Sequence, residues 1–165
     1  MLDYLPAQVG SYALFLELPT PQQAVVGRLG TFRLPAGLYI YLGSARGAGG
    51  IAARLNRHLR CAGRPHWHVE HLRHLTHPRG ICYQESAESL ECAWSQALAA
   101  LPQARIPVPG FGASDCRSGC PAHLVWFPGG AQAMALVVRK IQQQAGPAVA
   151  SWQPYPPLVG GVDAA

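Results

Sequence analysis

Acidic residues, lysine and long apolar runs are all scarce in this 165-residue chain. Asp and Glu together number 8 against 13 Lys and Arg, and Lys140 is the only lysine, so arginine dominates a formal net charge of +5. Because no apolar run approaches the roughly 18 residues of a membrane-spanning helix, we expect no membrane segment. The N-terminus lacks the basic and apolar regions of a signal peptide, so we expect a cytoplasmic protein.

The cysteines are also few, and they form no disulfide framework. There are five, an odd number without regular spacing, which suits a reducing compartment. Hydrophobic residues nevertheless make up 49% of the chain, enough for an ordinary core. We expect one domain over residues 1–145, followed by a Pro/Gly/Ala-rich tail over residues 146–165 that is disordered.

Apolar periodicity predicts a small α+β domain, with a central antiparallel or mixed sheet flanked by helices. Alternation places Tyr12 on one face of the first strand and Phe15 on the other. The predicted strands cover residues 11–18, 38–42, 80–84 and 123–127, with a hairpin over 25–34. The predicted helices cover residues 51–62, 65–75, 86–101 (with Ser86 as N-cap) and 134–144.

Basic residues concentrate between Arg46 and Arg79, a segment with seven arginines, six histidines and a single acid, Glu70. Such one-sided charge favours a polyanion such as nucleic acid. A solvated surface, with arginine supplied by a GC-rich genome, accounts for the charge equally well, so both interpretations stay open here. The candidate nucleic-acid contacts are Arg46, Arg57, Arg60, Arg64, His66 and His68.

Four short patterns occur in order along the predicted elements: Gly10-Ser11-Tyr12, Tyr41-Leu42-Gly43, Arg54-x-x-x-His58 and Glu91. Together they resemble the GIY-YIG nuclease superfamily, although the first reads GSY and the two half-motifs are separated by a hairpin. The longer pattern, up to about Phe127, is similar to a poorly characterised domain of unknown function. That domain occurs alone or attached to base-excision DNA glycosylases.

The resemblance implies a metal-dependent DNA endonuclease, with a role in DNA repair. It implies Tyr12 as general base, Tyr41 and His58 as assisting groups, Arg54 as phosphate ligand, and Glu91 as ligand of one Mg²⁺ or Mn²⁺. Tyr12 would need Arg54 and the hydrated metal to lower its pKa from about 10. The expected partner is DNA, with no membrane, and the sequence does not identify a protein partner.

Each of these residues also has an ordinary structural interpretation. The two tyrosines are typical strand aromatics, and Arg54 and His58 suit a solvated helix flank. Glu91 suits the positive end of a helix dipole, where Glu88 competes with it as a metal ligand. A DNA-binding module that has lost catalysis is therefore the alternative function.

A cysteine–histidine pattern, Cys116-x3-Cys120-x2-His123, offers three zinc ligands, with Asp115, His66 or His68 as a distant fourth. The spacing is not that of a standard zinc finger, and there is no second CxxC pair. We favour a buried structural motif over zinc at this point. A zinc-stabilised interaction protein is the remaining alternative.

Overall fold

A computed structural model describes residues 2, 4–60, 63–145 and 150–155. The architecture is α+β, as predicted, with a five-stranded antiparallel sheet and a separate two-stranded hairpin. The strands are β1 (Gly10–Leu18), β2 (Gln22–Val26), β3 (Gly30–Leu34), β4 (Gly37–Ala45), β5 (His77–Glu85), β6 (Leu124–Phe127) and β7 (Ser151–Pro154). The helices are α1 (Gly50–Arg60), α2 (His68–Arg73), α3 (Glu91–Ala99) and α4 (Ala131–Gln144).

The sheet has the strand order β6-β4-β1-β5-β7, so β1 lies at its centre. Each pair of neighbouring strands in this sheet is antiparallel, and Tyr12 of β1 stands opposite Gly43 of β4. Side chains along a strand alternate between faces. As a result, Tyr12 packs into one core and Phe15 into the other, as the alternation predicted.

Two apolar cores sandwich the sheet. The front core contains Tyr12 and Tyr41 and is closed by α1, α2 and the β2–β3 hairpin. The back core contains Phe15 and is closed by α3 and α4, through residues such as Trp94 and Val137. Burying such a side chain contributes about 1.5–3 kcal/mol, so both layers are held by ordinary apolar packing.

The third helix is shorter than predicted, because it begins at Glu91 instead of Ser86. The Ser86 hydroxyl accepts a hydrogen bond from the Glu88 backbone amide, which makes a local turn and not a helix cap. The amide of Leu90, just before the helix, instead donates to the Ser11 hydroxyl on β1 at 2.8 Å. Sequence reasoning missed this because the capping oxygen comes from a distant strand.

The C-terminal segment also differs from expectation. Ser151–Pro154, which we expected to be disordered, forms β7 and pairs with β5. The exposed edge of β5 supplies the hydrogen-bonding groups that make this pairing favourable. The rest of the expected tail, residues 146–149 and 156–165, lies outside the described residues. In the described part of the chain, no helix is long and apolar enough to cross a membrane.

Candidate active site

A cavity of about 370 Å³ opens on the front side of the sheet, where side chains from β1, β4, α1, α2 and the start of α3 converge with the loop that precedes β6. The lining residues are mostly polar or aromatic. They are Tyr12, Tyr41, Gly43, Ser44, Arg46, Arg54, Trp67, His68, Glu91, Gly112, Ser114 and Asp115. The structure thus brings Tyr12, Tyr41, Arg54 and Glu91 together from four separate elements.

Two glycines make room for the two tyrosines. A Cβ on Gly43 would lie 2.4 Å from the Tyr12 hydroxyl, so the strand opposite Tyr12 tolerates no side chain there. Gly112 has a φ of +69°, and a Cβ on it would lie 2.9 Å from the Tyr41 ring. The tyrosine rings then pack with centroids 6.2 Å apart. The Tyr41-Leu42-Gly43 pattern therefore has a steric reason.

A chain of polar contacts leads from the cavity into the front core. The Tyr12 hydroxyl lies 2.8 Å from His58 Nε2, and His58 Nδ1 lies 3.5 Å from Glu70 Oε1. A proton on Nδ1 facing the carboxylate leaves Nε2 as the acceptor for the Tyr12 hydroxyl. His58 is fully buried, whereas we expected it at the edge of the helix stripe.

Glu70 is fixed by several donors at once. Its Oε2 accepts the backbone amides of His66 at 2.6 Å and Trp67 at 3.2 Å. Its Oε1 accepts from Arg57 Nε at 3.1 Å. Although burial acts in the opposite direction, these hydrogen bonds lower the pKa of Glu70, so it is a carboxylate at neutral pH.

Burial also sets the protonation states of the other members of this chain. It raises the pKa of Tyr12 well above 10, with Tyr41 and Glu91 adding to the rise and Arg54 opposing it. It lowers the pKa of His58 to about 4. Arg54 acts on the Tyr12 pKa in the expected direction, since it lowers it, but in the protein alone desolvation outweighs this effect. At pH 7 a neutral phenol faces a neutral imidazole.

Arg54 and Glu91 provide the opposite charges of the cavity. The Arg54 guanidinium lies 4.3 Å from the centre of the Trp67 ring, a cation–π contact that holds it at the cavity wall. Glu91 is the first residue of α3, whose start is tied to β1 through Ser11. Glu88, the competing candidate, is exposed and is not among the lining residues.

The six candidate nucleic-acid contacts divide into two groups. Arg46 and His68 line the cavity, where His68 Nδ1 accepts the Gly112 amide at 2.8 Å. The other four are exposed and do not line the cavity, and Arg57 among them is already paired with Glu70. Those four are Arg57, Arg60, Arg64 and His66.

Sequence reasoning assigned neither Glu70, which contacts His58, nor the lining residues Ser114 and Asp115 to this site, and it considered Asp115 only as a distant zinc ligand. Glu70 carried a signal, because it is the lone acid within a strongly basic segment. An isolated carboxylate among so many cations is expected to neutralise one of them. Ser114 and Asp115 lie in a loop, and no periodic pattern indicates where a loop folds.

A second polar group lies beside the cavity. The ligating atoms of Cys92, Cys116, Cys120 and His123 all lie within 4.8 Å of one another, an arrangement that could hold a metal ion. Cys92 Sγ is 3.6 Å from Cys116 Sγ and 3.7 Å from His123 Nε2. The fourth member is therefore Cys92 from α3, and not Asp115, His66 or His68.

A model of the family described as "Domain of unknown function DUF123" matches residues 11–145. The matched region runs from β1 to the end of α4, so it includes all the lining residues and the cysteine–histidine group. No curated protein and no solved structure matches the chain.

Proposed function

We propose, from the chemistry of its cavity, that this protein is a metal-dependent DNA endonuclease of the GIY-YIG type. The chain belongs to the DUF123 family, a domain of unknown function. One observation carries the proposal. Tyr12, Arg54 and Glu91, which come from three separate elements, line the same cavity, with His58 hydrogen-bonded to Tyr12. These are the residues that the motif resemblance singled out.

Hydrolysis of a phosphodiester requires an activated water and neutralisation of charge on the phosphoryl oxygens. Arg54 suits the second task, since its guanidinium is always charged and binds phosphate oxygens in a bidentate manner. Its cation–π contact with Trp67 holds the guanidinium at the cavity wall before substrate arrives. Preorganised charge of this kind stabilises a transition state without a cost of reorganisation.

Tyr12, His58 and Glu70 together suit the first task. Tyr12 can take a proton from the attacking water while it passes its own phenolic proton to His58 Nε2. The resulting imidazolium is stabilised by the Glu70 carboxylate at Nδ1. A tyrosine with a raised pKa can then act as a base without forming a free phenolate, because proton uptake and release occur together.

The cavity suits a hard divalent cation. Its lining includes the Glu91 and Asp115 carboxylates together with the hydroxyls of Ser44 and Ser114, and no cysteine. Mg²⁺ and Mn²⁺ prefer such oxygen donors, and Mg²⁺ commonly binds through one or two carboxylates. Glu91 would hold the ion, with Asp115 as a second carboxylate. When bound, the ion supplies Lewis-acid stabilisation of the phosphoryl oxygens and the departing oxygen.

DNA is the favoured substrate because the segment from Arg46 to Arg79 carries seven arginines and only one acid. Arg60 and Arg64 are exposed and form no ion pair with any described residue, so their charges are available to a backbone phosphate. Phosphate contacts of this kind position a duplex without reading its sequence.

The test is a cleavage assay over a panel of DNA substrates: duplex, flap, single strand and duplex with a damaged site. We expect the wild-type protein to cut at least one of them with Mg²⁺ or Mn²⁺. Glu91→Gln should slow cleavage by more than about 100-fold, since removal of even an outer-shell partner of a metal site costs about 10–100-fold. Its affinity for DNA should stay within a factor of about two.

Glu88→Gln is the matched control, because it removes an equal charge three residues earlier, outside the cavity. It should cut at the wild-type rate. Equal cleavage by Glu91→Gln and Glu88→Gln would contradict the proposed site. Tight DNA binding by a wild-type protein that cuts no member of the panel would favour the binding module instead.

A further inference from the structure

The cysteine–histidine group has no part in the proposed reaction, and its geometry points to a resident metal. We infer that Cys92, Cys116, Cys120 and His123 bind one Zn²⁺ ion in a closed, tetrahedral S₃N site that fastens the loop before β6 to the start of α3. The following observations favour it over a buried cluster of free thiols.

The separations of the ligand atoms fit a tetrahedral ion. Zn–S bonds are about 2.3 Å and Zn–N bonds about 2.0–2.1 Å, so tetrahedral directions place two sulfurs about 3.8 Å apart and a sulfur and a nitrogen about 3.6 Å apart. The observed separations are 3.6 Å for Cys92 and Cys116 and 3.7 Å for Cys92 and His123. All other pairs stay within 4.8 Å. The set therefore surrounds a space the size of one ion.

Two alternative explanations of the cluster fit less well. A disulfide requires its sulfurs about 2.05 Å apart, and all three thiols here are free. Packing of neutral thiols gains little, because S–H groups are weak donors and sulfur is a weak acceptor. A thiol–imidazole hydrogen bond would account for the 3.7 Å contact between Cys92 and His123, but neither explanation accounts for four ligand atoms that all lie within 4.8 Å of one another.

The surrounding backbone holds the ligands in place without the ion. The His123 amide donates to the Phe111 carbonyl at 2.7 Å, and the His123 carbonyl accepts the Leu42 amide at 2.9 Å. The buried Ser95 hydroxyl donates to the Ala122 carbonyl at 2.7 Å, which ties α3 to the residue before His123. A site supported in this way binds metal with less loss of chain entropy.

Four protein ligands leave no open position, which is typical of structural zinc and not of catalytic zinc. The three ligands of the loop and the single ligand of α3 would be linked by the ion. Because Asp115 and Ser114 lie in that loop and Glu91 begins α3, the zinc would also maintain two walls of the cavity. The zinc ion would thus support the cavity by holding these residues in position.

The first test is metal analysis of the full-length protein purified without added metal. We expect about one zinc per chain. Cys92→Ser should lose most of this zinc, whereas Cys82→Ala, which changes a buried cysteine in the sheet, should retain it. Iron in place of zinc, or zinc in equal amounts in the two variants, would overturn the assignment.

A second measurement covers the case in which Cys92→Ser does not fold. The wild-type protein is titrated with a thiol reagent under native conditions, before and after a zinc chelator is added. We expect three further thiols to react after chelation, in step with zinc release. Cobalt added to the chelated protein should give thiolate charge-transfer and tetrahedral ligand-field bands. Unchanged thiol reactivity, or octahedral cobalt bands, would contradict the S₃N site. None of these readouts depends on DNA cleavage.

Discussion

The cavity and the cysteine–histidine group are neighbours, yet their chemistry is opposite. They meet at two pairs of consecutive residues. Glu91 and Asp115 line the cavity, and the residues that directly follow them, Cys92 and Cys116, belong to the cysteine–histidine group. Consecutive residues on a helix point about 100° apart, so one step along α3 moves from an oxygen ligand to a sulfur ligand. The cavity offers hard oxygen donors, and the group offers soft sulfur donors. Under the two proposals, one loop and one helix start would serve two different metals.

The two regions also differ in how they are assembled. The cavity collects side chains from β1, β4 and three helices, and the contacts among Tyr12, His58 and Glu70 beside it are buried. The group is assembled from one loop and the first turn of α3. We propose that the cavity serves reaction and the group serves support, and single substitutions should separate the two.

The largest difference between the two regions is expected for Tyr12→Phe, which should reduce cleavage but leave the zinc content unchanged. It removes the hydroxyl that contacts His58 but keeps the packed ring, so cleavage should fall by about 10²–10⁴-fold, the typical contribution of a general base. Tyr39→Phe is the matched control, since Tyr39 is a buried tyrosine whose hydroxyl donates to the Pro35 carbonyl. Cleavage rates and zinc content should be measured for both. Loss of zinc in Tyr12→Phe, or equal loss of cleavage in both, would break the distinction between the two regions.

A smaller effect, on the free energy of unfolding, is expected when the pH is lowered. His58 has a pKa of about 4 in the folded protein against 6.5 in the unfolded chain, because burial disfavours its charged form. The unfolded chain therefore takes up a proton first as the pH falls from 6.5, and stability is lost towards pH 4. Between pH 7 and 4.5, His58 should cost about 2–3 kcal/mol of unfolding free energy.

This loss is measured by denaturant unfolding at each pH. His58→Gln should lose less stability than wild type over that range, whereas His74→Gln, at an exposed position, should match wild type. Any acid release of zinc from the group is common to all three proteins, so the difference isolates the cavity. Parallel curves for wild type and His58→Gln would contradict the buried neutral imidazole.

Local periodicity predicted much of this fold, but long-range packing did not follow from it. The alternation in β1 correctly placed Tyr12 and Phe15 on opposite faces, because the faces of a strand depend only on its own sequence. Cys92 escaped prediction since it lies 24 residues from Cys116, and only the docking of α3 brings the two together. The contact between His58 and Glu70 likewise depends on how α1 packs against α2.

The smallest effect is expected for substitutions of exposed arginines, and it concerns the salt dependence of DNA binding. Each phosphate contact changes the slope of log affinity against log salt by about 0.9 on duplex DNA. Arg60→Ala should therefore reduce the slope by about one unit, and Arg57→Ala by less, because Arg57 is paired with Glu70. Arg139→Ala, on α4 behind the sheet, is the control and should leave the slope unchanged. Equal slopes in all the variants would indicate that the basic surface is only solvated.

The central claim is that a hard ion in the cavity is needed for reaction while zinc in the group is structural. The most direct measurement is DNA cleavage by protein with verified zinc content, over a series of Mg²⁺ concentrations. The account predicts no cleavage without Mg²⁺ and a saturable increase as Mg²⁺ is added, with zinc content constant throughout. Cleavage by the zinc-loaded protein without Mg²⁺, or none at any concentration of Mg²⁺ or Mn²⁺, would contradict it.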